Sequence, residues 1–232
     1  MSEPAASRTP DAAAGAVGLV LILIALFLPG PAPKTSDSIA HLTDVLLAHR
    51  GAFLIGIWIA GLGSVGIVWF LGRLNAALGT GDDGPAMAPA AVAGGGIAVV
   101  LLLAGMAVPT GVALNAAQMS DPALVRAAFD VANVVIEMSK FGLAVLVLAT
   151  CFGGRRWLGA PAVVVGVCAA ALLVASALPP FLADRGIWQF GAPVDLGGLV
   201  PGALWMIWLS LRVARGTSTP RSPTVNGAKP EW

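Results

Sequence analysis

The chain has 232 residues, of which 57% are hydrophobic and 11% are charged, and its formal net charge is +1. Soluble domains carry about a quarter charged residues, and a domain of this size has too little interior to bury so much apolar surface. The composition excludes a soluble enzyme and a disordered chain, and the small net charge gives no basic footprint for nucleic acid. We therefore expect an integral membrane protein whose surroundings are the lipid bilayer.

Six apolar windows approach the roughly 20 residues that a membrane-spanning helix needs. They cover residues 12–29, 51–72, 90–114, 127–151, 158–178 and 195–213. The first window has the character of a signal peptide, but no small-residue cleavage site follows it, which favours an uncleaved helix. The pattern predicts an all-α bundle of six transmembrane helices over residues 12–214. We expect residues 1–11 to form a cytoplasmic N-terminus and residues 215–232 a disordered cytoplasmic tail.

The basic residues are distributed unevenly between the two sides of such a bundle. With both termini on one side, that side holds Arg8, Arg73, Arg155, Arg156, Arg212, Arg215, Arg221 and Lys229. The opposite side holds Lys34, Arg50, Arg126 and Arg185. The positive-inside rule therefore predicts a protein of the cytoplasmic membrane with both termini in the cytoplasm.

Proline marks the outer ends of the first, third and fifth predicted spans. Pro29, Pro109 and Pro179 stand at these ends, where a residue disfavoured in helix interiors indicates an exit or a kink. The pattern favours three hairpins in parallel arrangement, although proline is also common at helix ends in general. Ser36-Asp37 predicts the start of a short outer helix over Ile39–His49, between spans one and two, and Ser120-Asp121-Pro122 predicts a similar start.

Small residues at four-residue spacing allow helices to approach closely. Such ladders consist of Ala52, Gly56, Ala60 and Ser64 in the second span and Ala162, Gly166 and Ala170 in the fifth. They indicate close packing within the bundle, and they also offer a contact face for a membrane protein partner or a second copy of the chain.

The fourth span carries a stripe of polar residues formed by Asp130, Asn133, Glu137 and Lys140. At about 100° per residue these side chains fall within a wedge of roughly 80°. A charge at the centre of a membrane helix costs about 2.5–3.5 kcal/mol, so Glu137 and Lys140 are expected to pair at i,i+3 spacing and to face the bundle interior. Two interpretations stay open: a midplane site for a proton, ion or polar solute, and a pair retained for insertion or helix register.

Two further groups lie towards the outer side. Counting residues along the spans places Arg50 at a depth similar to Asp130, and we hypothesise an outer vestibule lined by His49, Arg50, Asp130 and Asn133. Asp37, His41 and Asp44 share one face of the outer helix and could bind a divalent metal, but a solvated polar face is the favoured interpretation. No predicted span contains a histidine, which excludes a pair of axial haem ligands within the membrane, and we expect no cofactor.

Short motifs in the chain resemble a family of small six-helix membrane proteins, common in actinobacteria and described as a domain of unknown function. They are Ala48-His49-Arg50-Gly51, Gly61 to Leu74 with its Trp69-Phe70, Phe129-Asp130 with Asn133, and Arg156-Trp157-Leu158-Gly159. The resemblance covers most of residues 12–214 and implies a six-helix fold. Glu137 and Lys140 look like a departure from the apolar residues of that family, whose activity is not known.

Three classes of function remain. The lack of a nucleophile–base constellation favours a non-enzymatic scaffold, accessory subunit or sensor. The stripe of the fourth span favours a small proton- or ion-coupled transporter. An outer-face membrane enzyme would have to use His41, His49 and nearby aspartates.

Overall fold

A computed structural model describes residues 10–30, 37–79, 84–115, 121–178 and 193–216, and all the secondary structure in these ranges is helical. The helices are α1 (Pro10–Phe27), α2 (Ile39–Ala48), α3 (Arg50–Leu78), α4 (Gly84–Asn115), α5 (Pro122–Gly153), α6 (Arg155–Leu158), α7 (Ala160–Ala177) and α8 (Pro193–Gly216). The predicted tail beyond Gly216 and the first nine residues lie outside the described ranges.

Within the described ranges, five helices are long and apolar enough to cross a membrane, namely α3, α4, α5, α7 and most of α8. Each coincides with a predicted span; α3, α4, α5 and α8 extend beyond it by up to several residues, whereas α7 lies within it. The apolar part of α1, Ala13–Phe27, is shorter than these five. The all-helical, multi-pass character is thus confirmed, whereas the count of six spans depends on α1.

The two predicted outer helix starts have different outcomes. Asp121 caps α5 through a 2.9 Å hydrogen bond that its carboxylate accepts from Ala123 N, with Pro122 in the first turn, as predicted. Helix α2 is capped one residue later than the predicted Ser36-Asp37, because the Ser38 hydroxyl accepts from His41 N. Helix α5 then continues to Gly153 without a break, so its outer turn and its span are one helix.

Consecutive long helices form antiparallel pairs that meet at glycines. A methyl group on Gly63 of α3 would lie 2.6 Å from the Gly18 carbonyl oxygen of α1. Farther along the same pair, Gly56 approaches the Ala25 carbonyl and Gly66 approaches the Ala14 carbonyl. Along this contact the residue numbers rise in α1 while they fall in α3, so the two helices are antiparallel.

The same arrangement recurs in α4–α5 and α7–α8. A methyl group on Gly94 of α4 would lie 2.7 Å from the Gly142 oxygen of α5, while Gly105 approaches Ala132 and Ile136. In the third pair Gly166 faces Trp205, and Gly202 faces Leu173. These close approaches join the six long helices of the described ranges into three antiparallel pairs, α1–α3, α4–α5 and α7–α8. This is the hairpin pairing that the proline pattern favours.

The outer surface of the bundle is apolar. Along α3, Trp58, Leu62, Val65 and Trp69 form an exposed stripe, and the Trp58 side chain is 73% exposed. A soluble protein rarely exposes such a continuous apolar surface, whereas lipid chains would cover it. The interior, by contrast, holds large buried side chains such as Phe70 and Leu209 together with a few polar groups.

Candidate functional site

The polar stripe of α5 contains a buried ion pair. Lys140 Nζ lies 2.7 Å from Glu137 Oε2, and the two residues are 4% and 1% exposed. The pair follows from local structure, since residues three apart on a helix are neighbours on its surface. The pairing predicted from the i,i+3 spacing therefore exists in the interior of the bundle.

A neighbouring helix supplies a further acceptor for the lysine. Lys140 Nζ donates to the backbone carbonyl of Ser176 over 3.4 Å. Ser176 lies in the last turn of α7, where carbonyl groups lack an intrahelical donor and carry the negative end of the helix dipole. The ammonium group thus contacts the negative end of one helix and a carboxylate of another. Such an arrangement joins α5 to α7.

Asn133 lies one turn before Glu137, on the wall of a cavity between α1, α2, α3, α4 and α5. The cavity volume is about 100 Å³, and the walls are almost wholly apolar, with Asn133 and Thr110 as the polar side chains. The Thr110 hydroxyl donates to the Met106 carbonyl within its own helix. Asn133 Nδ2 is buried and has no hydrogen-bond partner among the described residues. A buried amide without a partner costs about 1–3 kcal/mol.

Asp130, at the outer end of the stripe, pairs with Arg126 of its own helix, whose Nε lies 3.4 Å from Asp130 Oδ2. Arg126 also donates through Nη1 to the Asp37 carbonyl, 2.9 Å away. Arg126 thereby links the segment just before α2 to α5, near a buried hydrophobic cluster that includes Leu42, Leu46 and Phe129. The outer end of the stripe therefore helps to hold α2 against α5.

The remaining predicted site residues lie apart from this interior. His49 and Arg50 are exposed at the junction of α2 and α3, and neither lines the cavity that Asn133 faces. Among the candidate metal ligands, His41 Nε2 lies 3.9 Å from Asp37 Oδ2. No group of three or more potential ligands suited to a metal occurs in the described part of the chain.

Sequence reasoning missed two residues that complete these contacts. Ser176 acts through its backbone carbonyl, so its residue type carries no signal, and only its position at the end of a helix could have suggested an acceptor. Arg126 enters the sequence analysis only as a charge of the outer side, although its i,i+4 spacing to Asp130 is a recognisable signal for a pair on a helix.

Comparison of the chain with protein-family models, with curated proteins and with solved structures finds no match. The resemblance to the actinobacterial six-helix family therefore stays a prediction.

Proposed function

We propose that the chain is a six-span protein of the cytoplasmic membrane that acts without catalysing a reaction, as a scaffold, an accessory subunit or a sensor. The observation that carries the proposal is that the two deepest charged residues, Glu137 and Lys140, pair with each other, while Lys140 also donates to the Ser176 carbonyl. A lysine held by two acceptors, one of them at the end of α7, is suited to fixing the positions of α5 and α7. The stripe therefore supports a static framework better than a route for solutes.

The proposed sixth span is α1. Its 18 residues extend about 27 Å, close to the roughly 30 Å hydrocarbon core of a bilayer. It packs along α3 through Gly15 and Gly18, which gives the first hairpin the same construction as the other two. Six crossings would leave both termini on one side, and the excess of Arg and Lys assigns that side to the cytoplasm.

A second candidate is a proton- or ion-coupled transporter that uses the same stripe. It is favoured by one observation, namely the presence of a carboxylate and an ammonium group deep in a helix that is predicted to span the bilayer. Ionisable residues inside membrane helices commonly mark ion pathways. In this case Glu137 would be the titrating group and Lys140 its counter-charge.

Proton flux into proteoliposomes separates the two candidates. The purified chain is reconstituted in liposomes that enclose a pH-sensitive dye, and a pH step is applied with valinomycin and potassium to clamp the membrane potential. We expect the rate of internal pH change to equal that of protein-free liposomes. A faster rate that Glu137→Gln abolishes, and that Asp44→Asn on the exposed face of α2 leaves unchanged, would replace the proposal with the transporter.

A further inference from the structure

A largely apolar cavity lies beside Asn133. Five helices contribute to it, and its walls include Leu26, Phe53, Met106 and Ile136. The cavity volume of about 100 Å³ is several times the roughly 10–15 Å³ that a cavity needs to hold one water molecule. Apolar cavities tend to stay dry and to accept apolar ligands, so water is a poor occupant of most of this space.

Asn133 is the polar feature of this site. Its side chain is 4% exposed and lines the cavity, and its Nδ2 has no hydrogen-bond partner in the part of the chain that the structure describes. Buried polar groups are nearly always hydrogen-bonded, so a buried amide donor without a partner indicates a missing acceptor. Rotation about the Cβ–Cγ bond exchanges the two ends of the amide, which allows the NH₂ group to turn into the cavity.

The neighbouring groups restrict which chemistry fits. The Thr110 hydroxyl already donates to Met106 O, and Pro109, which also lines the cavity, has no backbone N–H to offer. None of the lining residues carries a charge. A charged ligand would therefore lose its hydration without compensation, whereas a neutral carbonyl would gain a donor from Asn133.

From these contacts we propose that the cavity binds a membrane-soluble, uncharged molecule with an apolar body and a carbonyl group, which accepts a hydrogen bond from Asn133. Two sources share this chemistry: a free carbonyl compound dissolved in the bilayer, and the ester carbonyl of a phospholipid chain that enters between the helices. Ligand sites of this kind, mostly apolar with a few placed polar groups, are the ordinary form of small-molecule pockets.

Photolabelling with benzophenone tests the site. Benzophenone is an uncharged diaryl ketone that on irradiation inserts into nearby C–H bonds, and Met106 offers such bonds in the wall. The full chain in lipid nanodiscs is irradiated with increasing benzophenone, and labelled positions are located by mass spectrometry. We expect saturable labelling at Met106, in contrast to non-saturable labelling at Ile97, which is 53% exposed on the same helix.

Variants separate the hydrogen bond from the cavity. Asn133→Leu should lower the Met106 labelling about two- to tenfold, the factor that one neutral hydrogen bond represents. Its melting temperature should be no lower than that of the parent, because an unpartnered buried amide is lost. Asn115→Leu, at an exposed asparagine bonded within α4, should change nothing. Unchanged labelling in Asn133→Leu, or labelling at Met106 that does not saturate, would overturn the proposal.

A second variant covers the case in which Asn133→Leu fails to fold. Val45→Trp keeps Asn133 and enlarges a wall residue of α2, so it should abolish the saturable labelling by filling the space. Persistence of that labelling would count against the cavity as the site. Nanodiscs of ether-linked phospholipids, which lack ester carbonyls, distinguish the sources: labelling stronger than in ester lipids identifies the lipid as the occupant, and equal labelling identifies a free carbonyl compound.

Discussion

At the scale of single residues, the energetics of the Glu137–Lys140 pair are asymmetric. Removal of both charges from water is expensive, and the 2.7 Å contact together with the Ser176 carbonyl offsets part of that cost. Loss of one partner leaves the other charge buried without compensation. The contribution of the pair to stability is therefore best judged by comparing single and double substitutions.

We expect Glu137→Gln and Lys140→Met each to lower the free energy of unfolding by about 3–5 kcal/mol, because each leaves one buried charge. The double variant Glu137→Gln/Lys140→Met should recover most of this loss, since it buries no net charge and keeps similar volumes. The measurement is the unfolding free energy in mixed micelles titrated with sodium dodecyl sulfate, followed by circular dichroism.

Asp130 provides the matched control for this cycle. Its side chain is 47% exposed and pairs with Arg126 at the outer end of the same helix. Exposed pairs contribute about 0–1 kcal/mol, so Asp130→Asn should change stability far less than Glu137→Gln. Equal effects of the two substitutions, or a double variant no better than the singles, would show that the deep pair is not buried as described.

At the scale of helices, the hairpins depend on glycines at the crossings. Of two nearby glycines in α3, a methyl group on Gly63 would meet the Gly18 oxygen at 2.6 Å, whereas one on Gly61 would meet nothing within 4 Å. Both positions are helical and have the same residue type. They therefore separate the effect of helix contact from the effect of glycine on helix propensity.

Gly63→Ala should destabilise the protein by about 1–3 kcal/mol, because the added methyl group forces α1 and α3 apart. Gly61→Ala should be neutral or stabilise by up to about 1 kcal/mol, because alanine favours the helix and occupies open space. Thermal unfolding of both variants in the same detergent is the measurement. A Gly63→Ala protein as stable as Gly61→Ala would show that the α1–α3 crossing is looser than described.

The positions of most helices could be predicted from the sequence, whereas the face that each helix packs against its neighbours could not. Length and hydropathy locate α3, α4, α5 and α7 within several residues, because a span must be apolar and about 20 residues long. The sequence indicates the ladder through Gly56 and Ala60, yet α3 approaches α1 more closely at Gly63 and Gly66 than at Gly56. With 29 glycines in the chain, spacing alone does not reveal which of them meets a neighbour.

In the candidate site, too, contacts within one helix could be predicted from the sequence, whereas contacts between helices could not. The Glu137–Lys140 pair is local to one helix, so spacing predicted it. Its contact with Ser176 spans 36 residues and depends on how α7 packs against α5. Counting residues along the spans predicts similar depths in the membrane for Arg50 and Asp130. It does not predict towards which neighbouring helix each side chain points. In the structure Asp130 pairs with Arg126 of its own helix.

At the scale of the whole molecule, the distribution of charge and the three hairpins support one topology. Each hairpin returns the chain to the side on which it began, so three hairpins place the start of α1 and the end of α8 on the same side. The sequence predicts most basic residues on that side, among them Arg155 and Arg156 between α5 and α7. The orientation depends on α1 crossing the bilayer, which makes the first hairpin the decisive one.

Single cysteines report this topology in intact cells. Cys168 is exposed on α7 and is replaced by alanine, whereas Cys151 is fully buried and can stay. In this background Ser7→Cys, His49→Cys and Arg155→Cys are treated with a membrane-impermeant maleimide before and after permeabilisation. We expect labelling of His49→Cys in intact cells and of the other two only after permeabilisation. Labelling of Arg155→Cys in intact cells would reverse the orientation, and equal behaviour of Ser7→Cys and His49→Cys would mean that α1 does not cross and that the protein has five spans.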